Sequence, residues 1–152
     1  MAEADGPEEI FRIVLKLSDN MPDKADHLDN CGAGSLRSLD ANRKEDIDNC
    51  ILAYESAVHL TPQDHSDTSL RLNMLGESFH LRLELTGDLT DISEVILYQQ
   101  EALPTHEGHA DMASCLYNLG NSFQSRFEHT SDLADISDAI SYQQKAVHLI
   151  PE

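Results

Sequence analysis

Several groups of residues in this chain have the right types to do chemistry. His106-x-x-His109, with Glu107 and Asp111 beside it, offers nitrogen and oxygen donors of the kind that hold a divalent metal. His27 and Cys31 stand four residues apart, a spacing that puts an imidazole next to a thiol on one helix face, as a Cys–His nucleophile requires. Gly32-Ala33-Gly34-Ser35 is small enough to approach a phosphate closely. The stretch GDLTDISEVILYQQ at 87–100 brings Asp, Ser and Tyr together and returns at 131–144 as SDLADISDAISYQQ, with nine of fourteen positions identical. It is either a duplicated active site or a duplicated scaffold element.

The elements that would have to position these residues decide the matter. An ungapped comparison of 65–98 with 109–142 gives 17 identities in 34 positions, among them Leu72/Leu116, Leu75/Leu119, Gly76/Gly120, Phe79/Phe123, Arg82/Arg126, Asp88/Asp132 and Ile96/Ile140. A decayed copy lies 44 residues upstream, where Asp23, Leu28, Gly32 and Leu39 precede Asp67, Leu72, Gly76 and Leu83. A fixed period of this length marks a stacked repeat array. Within each unit, apolar residues recur at helical spacing twice: Leu72, Leu75, Phe79 and Leu83, then Ile92, Val95 and Ile96. Between them Gly87 can end one helix in the left-handed conformation, and Asp88 can cap the next, with Asp91 placed as in a capping box. Asp132 with Asp135, and Asn42 with Glu45, repeat that arrangement. Leu89, Ile92 and Ile96 are expected to face the core, and Tyr98 with its two glutamines to sit at the seam between repeats.

These signals predict helices over 8–18, 24–40, 44–60, 67–85, 89–103, 111–129 and 133–149. Residues 1–7 form a disordered acidic N-terminus and 8–152 one array. That array comprises a packing helix at 8–18, a degenerate first repeat at 23–62, a second at 66–104 and a third at 110–151. Short turns between the helices make neighbours antiparallel. The expected fold is all-α, a right-handed solenoid of helical hairpins with about seven antiparallel helices.

The chemical readings lose ground against this frame. His109 is the counterpart of His65, so the repeat explains it, and a zinc site wants more convergent ligands. Cys31 fills the slot held by Leu75 and Leu119, and Cys50 and Cys115 also read as small core residues. The Gly32–Ser35 run sits inside a helical register and lacks the Lys of a phosphate loop. The recurrent carboxylates already have capping work. No catalytic residue, metal or cofactor is expected, and the chain reads as non-enzymatic.

Composition narrows the partners. The 28 acidic and 10 basic residues give a formal charge of −18, the wrong sign for a phosphate backbone or an anionic membrane surface and the right one for a basic protein segment. No apolar run is long enough to span a bilayer. Three widely separated cysteines and an acidic opening, MAEADGPEE, give the expectation of a reducing, cytoplasmic setting.

The pattern Leu72-x-x-Leu75-Gly76-x-x-Phe79, repeated as Leu116-x-x-Leu119-Gly120-x-x-Phe123 and followed by Ala139, Ala146 and Pro151, resembles the tetratricopeptide (TPR) repeat. The 44-residue period exceeds the usual ~34. It is similar to the extended type found in kinesin light chains and in arrays preceding CHAT (caspase-like) protease domains. The first copy departs from the pattern, with Cys31 and Ser35 for Leu75 and Phe79. The resemblance implies a scaffold that binds a peptide or protein segment in a concave groove lined by the first helix of each pair. Carried across by motif, the groove positions include Asp29 and Arg37 in copy one, Asn73, Glu77 and His80 in copy two, and Tyr117, Asn121 and Gln124 in copy three. The alternative it implies is a regulatory or sensor array belonging to a CHAT-protease or signalling-NTPase type of protein. The last helix presents Ile136, Ile140 and Val147 as an open edge, through which the chain is expected to self-associate.

Overall fold

A computed structural model of the chain describes residues 7–21, 23–38, 44–103 and 112–150, with side chains at all of these except 7–9 and 35–38. The described residues form seven α-helices and no strand: α1 Pro7–Leu15, α2 Lys24–Ser38, α3 Lys44–Leu60, α4 Thr68–Thr86, α5 Thr90–Glu101, α6 Met112–Thr130 and α7 Leu133–His148. Residues 1–6 of the expected acidic tail and Asn42 lie outside the described residues, and Pro7 already opens α1, where proline's fixed φ suits the first helical position.

The helices pack in chain order, α1 on α2, α2 on α3, and so on to α6 on α7. The core is correspondingly a row of clusters rather than one centre. Phe11, Val14, Leu28, Ala53 and Ala57 join α1, α2 and α3. Ile47, Ile51, Tyr54, Leu75, Phe79 and Val95 join α3, α4 and α5. Leu83, Ile92, Ile96, Leu119, Phe123 and Ala139 join α4 to α7. Aliphatic side chains at i, i+3 and i+7 supply most of each cluster, which is why a sequence poor in aromatics can fill it.

The helix boundaries have local causes. Gly87 ends α4 at φ +69°, its N–H donating to Leu83 O at 2.7 Å. Ser131 ends α6 in the same left-handed conformation, φ +58°, and its N–H reaches Phe127 O at 2.7 Å. Asp132 caps α7 by accepting from Ala134 N at 2.9 Å, and Asp88 accepts from Thr90 N at 3.0 Å at the start of α5. Hydrogen bonding to Thr90 holds the Asp88 carboxyl below its ordinary range. The packing helix stops at Leu15 rather than residue 18. The buried Lys24 ammonium sits beneath its end and donates to Leu15 O at 3.3 Å, Leu17 O at 2.8 Å and Asp19 Oδ1 at 2.7 Å.

Helix pairs approach closely at two glycines. A Cβ on Gly120 would stand 2.7 Å from Gln143 Cγ and 3.1 Å from Ala139 O, and one on Gly32 would stand 2.7 Å from Tyr54 Cε2. Gly76 is looser, with Gln99 Cγ at 3.4 Å.

Candidate functional site

The residues that recur most faithfully in the sequence are consumed in joining helices. Arg82 on α4 forks onto Asp91 of α5, Nε to Oδ2 at 2.9 Å and Nη2 to Oδ1 at 2.8 Å, while its Nη1 reaches Asp48 of α3 at 2.9 Å. Its guanidinium lies 5.0 Å from the Phe79 ring centroid, and Phe79 in turn stacks on Tyr98 at 5.6 Å. Forty-four residues on, Arg126 forks onto Asp135 at 2.9 and 2.6 Å, lies 5.2 Å from Phe123, and Phe123 stacks on Tyr142 at 5.5 Å. Hydrogen bonds to Asp91 and Asp135 raise both guanidinium groups further above their already high pKa. Asp91 and Asp135 are buried, so each needs its arginine to offset the loss of water.

This corrects the capping-box reading. The second carboxylate of each pair turns inward to arginine. The signal available in the sequence was the co-recurrence of Arg and Asp nine residues apart, and copy one shows its converse. There the arginine position is Ser38 and the aspartate position is Ile47, so the two charges are absent together. Leu89 is a second correction: it is exposed, because α5 starts after it and the stripe that enters the core begins at Ile92. Leu119 and Phe123 pack with that stripe in one core cluster, while Gly120 faces Ala139 and Gln143 of α7.

Arg71 makes a separate joint. Almost fully buried on α4, it pairs with Asp26 of α2, donates to Thr61 Oγ1 at 2.5 Å and lies 3.7 Å from Asp67.

The candidate groove residues occupy α2, α4 and α6. Asn73 is half-buried and donates from Nδ2 to Cys115 Sγ at 3.6 Å, which brings α4 and α6 side by side at that point. Glu77 is exposed, and His80 is half-buried with Nε2 3.3 Å from Glu84. Tyr117 is 54% exposed. Asn121 is exposed but leans towards α7, accepting from Gln143 Nε2 at 3.0 Å, and Gln124 donates to Glu128 at 3.1 Å. Asp29 is half-buried, and burial pushes its carboxyl up more than nearby Arg71 draws it down. The Arg37 side chain lies outside the described residues. Glu77 and Tyr117 thus keep the freest reach, while Asn73, His80, Asn121 and Gln124 already have partners within the chain.

Two clefts lie elsewhere, and neither is lined by those groove residues. One, about 600 Å³, separates α3 from α5 over Phe79 and Arg82, with Lys44, Asp48, Glu55 and Glu94 on its walls. Burial raises the Glu55 carboxyl, and Glu94 adds to that. Burial also pushes Asp48 up, but hydrogen bonds from Arg82 and Lys44 outweigh it and leave the carboxyl low. The other cleft, about 740 Å³, lies among Leu103, Met112, Leu116, Tyr142 and Lys145.

The chemical groups singled out in the sequence do not converge. Cys31 is half-buried, and burial raises its thiol, the opposite of what a nucleophile needs. Cys50 donates to Gly32 O at 3.7 Å inside the core. His106 and His109 lie outside the described residues, and no group of three or more His, Cys, Asp or Glu among the described residues could hold a metal ion. No described helix is long and apolar enough to cross a membrane. On the open edge, Ile136 is half-buried while Ile140 and Val147 are exposed.

No protein-family model matches the chain, and no curated protein matches it.

Proposed function

We propose that this protein is a non-enzymatic interaction scaffold, a right-handed TPR-like solenoid of helical hairpins that receives an extended peptide or protein segment along the face formed by α2, α4 and α6. The observation that carries the reading is the duplicated Phe–Arg–Asp–Tyr joint. The most recurrent polar residues tie one helix to the next, as a stacked scaffold needs, and are not gathered around a reacting atom. Tyr117 supplies an exposed aromatic anchor and Glu77 an exposed carboxylate on adjacent first helices. With a net charge of −18, the favoured segment is neutral or basic.

A displayed peptide library selected against the chain tests this. Enriched peptides should be neutral or Lys/Arg-rich. Tyr117→Ala should weaken their binding by about tenfold or more, the loss typical of an aromatic anchor. Glu55→Gln with Glu94→Gln, in the α3–α5 cleft, should leave it unchanged. Loss through the cleft variant and none through Tyr117→Ala would move the binding surface to the opposite side of α4.

A further inference from the structure

The cleft of about 740 Å³ opens between the start of α6 and the second half of α7, with Leu103, just past α5, at its side. A volume of that size suits a small molecule, and none of the candidate groove residues lines it. Its floor is aliphatic. Met112 and Leu116 form one core cluster with Ala146, and Leu103 and Tyr142 pack against it. Tyr142 is already engaged, stacked on Phe123 at 5.5 Å with the Lys145 ammonium over its ring, 5.4 Å from the centroid. Lys145 and His148 stand three residues apart on α7 and so share a face on the rim, where His148 is fixed by a hydrogen bond from Nδ1 to Gln144 O at 2.7 Å. Among the described lining residues there is no acid, in a chain whose acids outnumber its bases 28 to 10.

The preceding repeat fills the same positions differently. Met112, Ser141 and Lys145 correspond to Thr68, Leu97 and Glu101, 44 residues earlier. There the equivalent of Tyr142 is surrounded by acids: burial, and then the carboxylates of Glu55, Glu94 and Glu101, raise the Tyr98 phenol. In copy three, one exchange makes the floor more apolar, one shortens a wall and one reverses the charge on the rim. Packing alone asks for none of these together, whereas a ligand with an apolar body and an anionic end uses all three.

We infer that this cleft binds an aliphatic carboxylate, its alkyl chain along Leu103, Met112 and Leu116 and its carboxylate at Lys145, with His148 beside it. Because Tyr142 already carries Phe123 and Lys145, an alkyl body fits the floor better than an aromatic one. The chain's charge of −18 repels anions at a distance, so burial of the alkyl chain supplies most of the affinity and Lys145 selects the head group. The site is separate from the groove on α2, α4 and α6 and does not depend on it.

Titration of the full chain, isotopically labelled at its methionine methyls, with octanoate, decanoate and dodecanoate below their micelle-forming concentrations tests this by nuclear magnetic resonance. The Met112 methyl signal should shift saturably, while those of Met21 and Met74, which do not line the cleft, stay in place. Each two-carbon step should tighten binding about tenfold. Lys145→Glu, which gives α7 the residue that α5 carries at Glu101, should weaken binding about tenfold with helical circular dichroism unchanged. Lys16→Glu, the same charge change at an exposed site outside the cleft, should leave it unaltered. Decylamine, with the opposite head group, should not shift Met112. No saturable Met112 shift with dodecanoate, shifts spread equally over all three methionines, undiminished binding by Lys145→Glu, or equal binding of decylamine would each overturn the inference.

Discussion

Gly76 and Gly120 hold the same place in two repeats, yet alanine should act on them with opposite sign. In a helix interior, Gly→Ala gains about 0.8–1 kcal/mol from propensity. At Gly76 the new Cβ meets Gln99 Cγ at 3.4 Å and Val95 O at 3.7 Å, ordinary contacts that ask little of α5. Most of the gain should survive, a stabilisation of roughly 0.5–1 kcal/mol and a Tm rise of about 2–3 °C. At Gly120 the Cβ would stand 2.7 Å from Gln143 Cγ, 3.1 Å from Ala139 O and 3.4 Å from Gln143 N. Two of those atoms are backbone, so α7 must move away from α6, and the Gln143–Asn121 hydrogen bond at 3.0 Å moves with it. Overpacking of this kind costs about 1–3 kcal/mol, and losing the hydrogen bond about 1 more. The net is a destabilisation of about 1–3 kcal/mol and a Tm fall of about 3–9 °C. Gly34, with nothing within 4 Å of its Cβ position, reports propensity alone. Thermal and urea unfolding followed by far-UV circular dichroism ranks the three variants. A Gly120→Ala protein as stable as Gly76→Ala would refute the claim that close approach of α6 and α7 is what holds a glycine there.

Two further outcomes follow from charge. Arg126→Ser strands the buried Asp135 and should cost about 3 kcal/mol, whereas Arg126→Ser/Asp135→Ile, the Ser38/Ile47 combination of copy one, should recover at least half of that loss. A double-mutant cycle by urea unfolding measures the coupling, and strictly additive losses would contradict it. Stability should also rise as the solution is acidified from neutrality before it falls. Burial raises the folded-state carboxyls of Asp29 and Glu55 above their ordinary values of 3.8 and 4.5, so their stabilising influence is complete below those values and is lost as pH rises through the raised ones. Asp48 and Asp88 are held below 3.8, so the stability they contribute is present above that value and disappears on further acidification. Glu55→Gln, which installs the residue that Gln99 already is one repeat later, should therefore raise stability at neutral pH and flatten the rise, and a lower neutral-pH Tm for this variant would contradict the assignment.

How far the sequence could be read depended on the range of the interaction. Every expected helix is present, because apolar spacing, Gly87 and Asp132 act within one or two turns of where they stand. Leu89 escaped because helical spacing fixes a direction around an axis but not where the packed length begins. Among the candidate groove residues, exposure at Tyr117 and Glu77 was legible from the motif. The engagement of Asn73 with Cys115 and of Asn121 with Gln143 was not, since both partners lie on other helices.

The sequence by itself determined the helical character of the described residues, a 44-residue period, the turns after α4 and α6 and the sign of the net charge. Each is a property of neighbouring residues or of composition. Only the tertiary structure decided that Asp91 and Asp135 answer arginines instead of helix ends. It alone separated Gly120 from Gly76, and left Ile140 uncovered while its equivalent Ile96 is buried. The physical reason is common to all three. Spacing tells which face a residue lies on, while desolvation, close contact and exposure depend on what another part of the chain brings against that face.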